Sequence, residues 1–346
     1  MNKRKVLVVA TSSKTRGGIT SVVKAHEKGP QWKEFHCHWV QTHRDGNSFR
    51  KMCYLIRAWC EYIALLPFYD IVHVHGTGGS SARRKIPFIK LAQLLKKKVI
   101  FHFHPSTEKI LFSADNILLK TIFNKADMVL VLSPQWIRWI DQAFPKNRFN
   151  TRVLFNPCSK PEINPEFAKK RQILFAGSII ERKGYATLIK AFAQIANKYP
   201  DWHIVFAGNG EINTGIKIAQ SLGIESQVEW LGWISGKEKD RIFKETSIYC
   251  LTSWGEGFPM GVLDAWSYGI PVISTPVGGI TDVAEDGKNI LLFPVNDVVA
   301  LSSQLEKLIT NDVLRERMGL KSKELSNTKF NIVSINSQLK QIYTEL

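Results

Sequence analysis

Cys250-Leu-Thr-Ser-Trp-Gly-Glu-Gly-Phe-Pro-Met-Gly-Val-Leu-Asp-Ala-Trp-Ser-Tyr-Gly-Ile-Pro-Val-Ile-Ser-Thr275 sets two short apolar runs around a glycine-punctuated loop and a helical pattern. The order strand, loop, helix, strand is the repeating unit of a parallel α/β sheet. Glu256 falls in the loop at the carboxyl end of the first strand, where open α/β sheets bind their ligands. Asp264 follows about two helical turns later if the helix opens near Pro259. Proline suits a first helical turn, because the N–H it lacks would have no partner there. The free amides of that turn, Gly257 and Phe258 leading into it, favour an anion such as a phosphate. Two carboxylates beside a phosphate seat suit a ligand that carries both hydroxyls and phosphates.

The rest of the chain repeats this alternation. Lys5–Ala10, Asp70–Val74, Val99–Phe103 and Met128–Leu132 read as buried strands separated by longer helical patterns. Two prolines and an asparagine in Arg152-Val-Leu-Phe-Asn-Pro-Cys-Ser-Lys-Pro161 interrupt the pattern and read as a linker. A second cycle opens at Ile173-Leu-Phe-Ala-Gly177 and continues through Trp202–Ala207, Val228–Leu231, Ile248–Leu251 and Pro271–Ser274. At 346 residues the chain has the length of two ordinary domains. The opening Met1-Asn-Lys-Arg-Lys-Val-Leu-Val-Val-Ala10 is basic and then apolar, but its apolar run is too short for a signal peptide. No stretch approaches the roughly 20 apolar residues of a membrane span.

Charge divides unevenly. Residues 1–160 hold 27 Lys+Arg against 9 Asp+Glu, a net of +18, and residues 161–346 hold 20 against 21, a net of −1. The excess marks the first half as the one that faces a polyanion. No nucleic-acid module is present, so nucleic acid is not the expected partner. Basic residues interleaved with large apolar ones, as in Phe49-Arg-Lys-Met-Cys-Tyr-Leu-Ile-Arg-Ala-Trp59, fit an anionic membrane surface or a core helix with solvated basic positions. Five cysteines without paired spacing argue against a disulfide framework or zinc site and for a reducing compartment. No Asp-x-Asp pair occurs, and no metal is expected.

The 250–275 segment resembles the signature of the large retaining glycosyltransferase family with the GT-B fold, which includes many bacterial polysaccharide and lipopolysaccharide sugar transferases. That signature is a Glu, seven residues and a second Glu, in Glu-Gly-Phe and Glu-Ala-x-x-x-Gly-x-Pro-Val contexts. Here the second acid is Asp264, one methylene shorter, ahead of Ala265-Trp-Ser-Tyr-Gly-Ile-Pro-Val272. The resemblance implies an α/β fold of two Rossmann-like doubly wound domains facing across a cleft. Residues 1–158 would form the acceptor-binding domain and 159–331 the nucleotide-sugar-binding domain. The C-terminal helix, about 332–346, would cross back to the first.

It also implies roles. Glu256 would face the donor sugar and Asp264 the nucleotide ribose. Gly177-Ser-Ile-Ile-Glu-Arg-Lys-Gly184 is similar to the family loop whose Gly-Arg and Lys-Gly hold the donor diphosphate; Lys183 matches, Ser178 stands where an Arg is usual, and Arg182 is the substitute cation. Prepositioned cations there stabilise the charge of a departing diphosphate. Gly17 and Gly18, after the first strand, permit close approach to a ligand. They do not form the GxGxxG fingerprint of a dinucleotide enzyme. Gly208 in Gly208-Asn-Gly-Glu211 resembles the family turn near the nucleotide base. In Phe101-His-Phe-His-Pro105, His104 aligns with a family histidine near the reacting sugar, better than His102 does.

The expected activity is therefore retaining, metal-independent transfer of a sugar from a nucleotide diphosphate donor, UDP-sugar favoured, with no separate cofactor. The acceptor is a hydroxyl of a lipid-linked or cell-surface glycan, reached from the cytoplasm at the inner face of the plasma membrane. A nucleotide-sugar epimerase of the same fold and a non-enzymatic basic polyanion-binding protein are the rival readings.

Overall fold

Twelve short strands among the described residues carry the architecture; the central ones are buried on both faces, and the edge strands are only partly covered. The computed structural model describes residues 4–114, 116–158, 161 and 168–346. Val6–Ala10 (β1) is Val-Leu-Val-Val-Ala with all five side chains buried, as a strand with helices on both sides of its sheet requires. His38–Gln41 (β2), Ile71–Gly76 (β3), Lys98–Phe103 (β4), Met128–Val131 (β5) and Thr151–Val153 (β6) complete the first sheet. Its order is β2-β1-β3-β4-β5-β6, all parallel.

Gln172–Ala176 (β7), His203–Ala207 (β8), Val228–Gly232 (β9), Ile248–Leu251 (β10), Val272–Ser274 (β11) and Leu291–Leu292 (β12) form the second. Its order, β12-β11-β10-β7-β8-β9, is again parallel throughout. This is the doubly wound dinucleotide-fold order, with the reversal between β7 and β10. The reversal in the first sheet falls between β1 and β3.

The chain divides into two compact units, Met1–Pro157 with Ile332–Leu346 and Cys158–Asn331. In the first, Val6, Val8, Ala10, Ile71 and Ile100 pack with Ile335, Leu339, Ile342 and Tyr343 of the last helix, Ile332–Glu345. Polar ties also fix that helix, among them Asn336 with His26 at 2.8 Å, the Tyr343 hydroxyl with His73 at 2.7 Å and the ion pair of Lys340 with Glu34 at 2.8 Å. In the second unit, Ile173, Phe175, Ile204, Phe206, Ile248 and Ile273 share a core with Leu188 and Phe192 of the helix Tyr185–Ala193.

Three strands stand outside the sequence reading. β2, β6 and β12 are sheet edges of two to four residues, too short for alternation or an apolar run to register. β6 also takes the first residues of the stretch read as linker, and the Leu154 amide bonds the Val131 carbonyl at 2.8 Å. Of that linker reading, Ser159 and Lys160 lie outside the described residues, as do residues 1–3. Pro259 is not the first helical residue. The helix is Met260–Ser267, and Pro259 caps it with an extended backbone (ψ 116°). Its carbonyl accepts from Val262 at 3.2 Å and Leu263 at 3.3 Å, so the free amides begin one residue later than the proline pattern implies.

Candidate functional site

At the reversal between β7 and β10 two loops leave the carboxyl edge of the second sheet side by side. The first, Gly177–Gly184, ends in the single 3₁₀ turn Glu181–Lys183. The second runs from Thr252 to Pro259. They are laced by backbone. The Trp254 amide donates to the Arg182 carbonyl at 2.8 Å, and the Thr252 hydroxyl lies 2.8 Å from the carbonyls of both Lys183 and Gly184. The Arg182 guanidinium donates to the Gly255 carbonyl. Gly184 makes this approach feasible: it has φ +67°, and a Cβ there would fall 2.1 Å from the Thr252 oxygen.

This lacing brings Lys183 and Glu256 into direct contact. The Lys183 ammonium pairs with Glu256 Oε1, which also accepts from the Ser253 hydroxyl at 2.6 Å. Both side chains are largely buried, at 19% and 10% exposure. Gly278 supports the Glu256 loop from behind. It too has positive φ, and a Cβ on it would strike the Glu256 and Gly257 carbonyl oxygens at 2.1 and 2.6 Å. Gly257 accepts from the Gly279 amide at 2.9 Å. The result is a cation and a carboxylate in contact, on two loops bonded to each other, at the point where doubly wound sheets bind ligands.

Asp264 lies within Met260–Ser267 and is 8% exposed. Its Oδ2 accepts from Lys239 Nζ at 2.6 Å. Sequence reasoning missed Lys239, which sits in the charged run Lys237-Glu-Lys-Asp-Arg241 and reads like any solvated helix face. The pairing shows that the second acid carries its own cation, so a ligand hydroxyl reaching Asp264 meets an ion pair.

Phe258 and Gly208 are also closely packed within this unit. The Phe258 ring packs on Phe330 with centroids 5.2 Å apart. A Cβ on Gly208 would fall 1.7 Å from the Gly177 carbonyl oxygen, so close packing of the two loops demands glycine whatever binds nearby. Ser178 is exposed. A cavity of about 480 Å³ adjoins the lacing, lined by Gly184, Tyr185 and Trp254. Its charged lining is mixed, Glu181 and Glu211 against Lys190.

In the first unit Gly17, with φ +141°, precedes the helix Gly18–Glu27, and both glycines are exposed. His104 is buried in a set of five imidazoles that the sequence only half announces: His26, His73, His75, His102 and His104. His75 Nδ1 and His104 Nε2 are 3.0 Å apart, and the rings of His102 and His104 lie 4.1 Å apart. Burial pushes His104 down to about 3 and His26 to about 4, and holds His73, His75 and His102 well below the usual imidazole range. His104 is therefore a neutral imidazole at ordinary pH. The ring nitrogens of His73, His75 and His102 come within 4.8 Å of one another.

The sequence model of the family described as Glycosyl transferases group 1 matches residues 159–325. Those residues belong to that family. An uncharacterised glycosyltransferase of Haemophilus influenzae is 31% identical over 160 residues, 46% of this chain and 45% of its own length. An uncharacterised glycosyltransferase of Methanocaldococcus jannaschii is 27% identical over 351 residues, 95% of each chain. The chain thus spans about half of the first relative and nearly all of the second. Among solved structures the Anabaena protein HepE, in complex with UDP, superposes with a TM-score of 0.82 at 16% identity, over 99% of this chain and all of that one. The group 1 domain thus contains the Lys183–Glu256 pair and the Asp264–Lys239 pair, while His104, Gly17 and Gly18 lie outside it.

Proposed function

We propose that the protein is a retaining glycosyltransferase that moves a sugar from a nucleotide diphosphate, UDP favoured, to a hydroxyl of a lipid-linked or cell-surface glycan. The observation that carries this reading is the Lys183–Glu256 contact at the strand reversal of the group 1 domain. A donor entering there separates the pair. Lys183 turns to the diphosphate and Glu256 to the sugar hydroxyls, so each keeps a partner of the opposite character. The acceptor oxygen then forms its bond to the anomeric carbon as the bond to the β-phosphate oxygen breaks. The departing diphosphate takes the acceptor proton, and attack comes from the face it leaves, which retains configuration. Lys183 and Arg182 stabilise the growing phosphate charge, the part that a metal ion plays elsewhere. Asp264 and Lys239 together address the ribose hydroxyls.

UDP in the HepE complex supports the choice of nucleotide. The basic first half supports work at the inner face of a membrane, as a peripheral protein. No helix among the described residues is long and apolar enough to cross one. The binding-protein reading leaves the two ion pairs of the second unit without a use, and the Glu256 motif resembles the transferases rather than an epimerase.

The test is thermal stabilisation by UDP-, GDP-, ADP- and CMP-sugars, comparing each variant with its own ligand-free form. One nucleotide should raise the midpoint in proportion to its excess over Kd, and Lys183→Ala and Asp264→Ala should abolish the rise. A rise that survives both variants would sink the site; no rise with any donor would sink the activity.

A further inference from the structure

A second pocket, in the first unit, gathers positive charge at the carboxyl edge of its sheet. It is a cavity of about 430 Å³ lined by His43, Lys51, Met52, Leu55, Ser80 and Arg84. His43 follows β2, and Ser80 and Arg84 belong to the helix Gly79–Leu94 that follows β3. These are the loops next to the reversal between β1 and β3, the ligand crevice of such a sheet. Ser80 is the second residue of its helix, so the helix amides open on the same side as its hydroxyl.

The cations here have poor internal company. Arg84 Nε is buried and has no hydrogen-bond partner among the described residues. Lys85, next in sequence, is 2% exposed, and its ammonium donates to the Thr42 hydroxyl. Burial first, and then the charges of Arg84, Lys51 and Lys85, lower the pKa of His43, with Asp45 the one charge acting the other way. Asp45 lies 3.8 Å from His43 and is 63% exposed, too solvated to balance the group. Converging like charges with one solvated counter-charge are stabilised by a bound anion.

The other wall is apolar. On the helix Ser48–Leu65, Phe49, Met52, Ile56 and Ile63 stand at i, i+3, i+7 and i+14, one stripe of the helix, and all are more than half exposed. Met52 belongs both to this stripe and to the pocket wall.

We propose that this pocket binds the phosphate or diphosphate of a lipid-linked acceptor. The anion sits among Lys51, Arg84, His43 and the start of Gly79–Leu94, and the lipid chain runs along the Met52–Ile56 stripe. The inference names the acceptor class within the proposed activity and rests on that reading for its biological use. The pocket itself does not depend on it.

The experiment measures binding of inorganic pyrophosphate by calorimetry to the full chain and to the full chain with Lys183→Ala, which removes the cation proposed for the donor diphosphate, and the pocket is read from the latter. In parallel, flotation is followed with vesicles of phosphatidylcholine alone, of phosphatidylcholine with phosphatidylglycerol, and of phosphatidylcholine doped with an isoprenyl diphosphate at matched surface charge. Pyrophosphate binding should weaken about tenfold or more in Arg84→Gln and in Lys51→Gln. Lys90→Gln, exposed on the same helix, should leave it unchanged. Doped vesicles should bind more tightly than phosphatidylglycerol vesicles of equal charge, and Met52→Ser should reduce that preference while sparing pyrophosphate. Equal pyrophosphate binding in all variants overturns the pocket. Flotation that follows surface charge alone overturns the lipid-linked acceptor. Donor stabilisation, read on the full chain with Lys183 intact, separates the two readings: its loss with pyrophosphate binding intact rejects glycosyl transfer and leaves the pocket standing.

Discussion

Gly184 carries two constraints at once, a left-handed backbone and a Thr252 carbonyl where a Cβ would be. Gly184→Ala should therefore destabilise the protein by roughly 2–4 kcal/mol and weaken donor binding, since Lys183 is its neighbour. Gly223 has nearly the same φ, +68°, with nothing within 4 Å of a Cβ. Gly223→Ala should cost only about 1 kcal/mol, for the backbone alone. Denaturant titration of both variants checks the contrast, and equal losses would show that the loop contact contributes nothing. At this scale the sequence was informative where spacing carries chemistry. Lys183 and Glu256 could be singled out because each sits in a glycine-marked loop after an apolar run. Their contact could not, because 73 residues separate them and only the sheet order makes them neighbours. Lys239 was invisible for a different reason: one lysine in a charged helical run has no local mark of being paired to a buried acid.

Among elements, β3 and β4 show how far periodicity reaches. His73 and His75 alternate along β3, and His102 in β4 and His104 just past its end keep the same period, so a shared face for each pair could be read directly. That the two pairs lie against each other follows from the His75–His102 register, and the cover of His26, Asn336 and Tyr343 comes from helices far away in sequence. The stack has a pH consequence. An unfolded chain protonates these imidazoles near 6.5, whereas burial keeps His26 neutral down to about 4 and His104 to about 3. Between those limits the unfolded state binds more protons, so stability is full above about pH 6.5 and falls as the pH drops toward 4. For His26 alone the full loss is roughly 3 kcal/mol. His26→Gln should narrow the gap between denaturant midpoints at about pH 7 and about pH 5, whatever it does to stability at either pH. An unchanged gap would mean that the native imidazole titrates normally. The edge strands β2, β6 and β12 were not legible because two to four residues carry too little pattern to stand out from a loop.

Taken as a whole molecule, the chain is electrically lopsided, with +18 before residue 161 and −1 after it. That much was plain from counting. The apolar stripe of Ser48–Leu65 was not, since a helix with mixed basic and apolar residues reads equally well as core. In the structure only Ala58 and Tyr62 of its eighteen residues are buried, and Phe49, Met52, Ile56 and Ile63 face out. Charge and stripe make separable contributions to surface binding. Attraction between a basic domain and a polyanion is screened once the Debye length falls to about 3 Å, near 1 M salt. Apolar side chains set into the headgroup boundary are held by burial, which salt does not weaken. The full chain should therefore bind phosphatidylglycerol–phosphatidylcholine vesicles and double-stranded DNA alike at low salt. High salt should release the DNA completely and the vesicles only in part. Phe49→Ser with Ile56→Ser should remove the salt-resistant fraction and leave low-salt binding to both polyanions intact. If high salt releases vesicles as fully as DNA, the stripe plays no part and the basic half is a general polyanion surface. Partial retention that depends on Phe49 and Ile56 places the helix at the lipid boundary, where a lipid-linked acceptor would be met without leaving the bilayer.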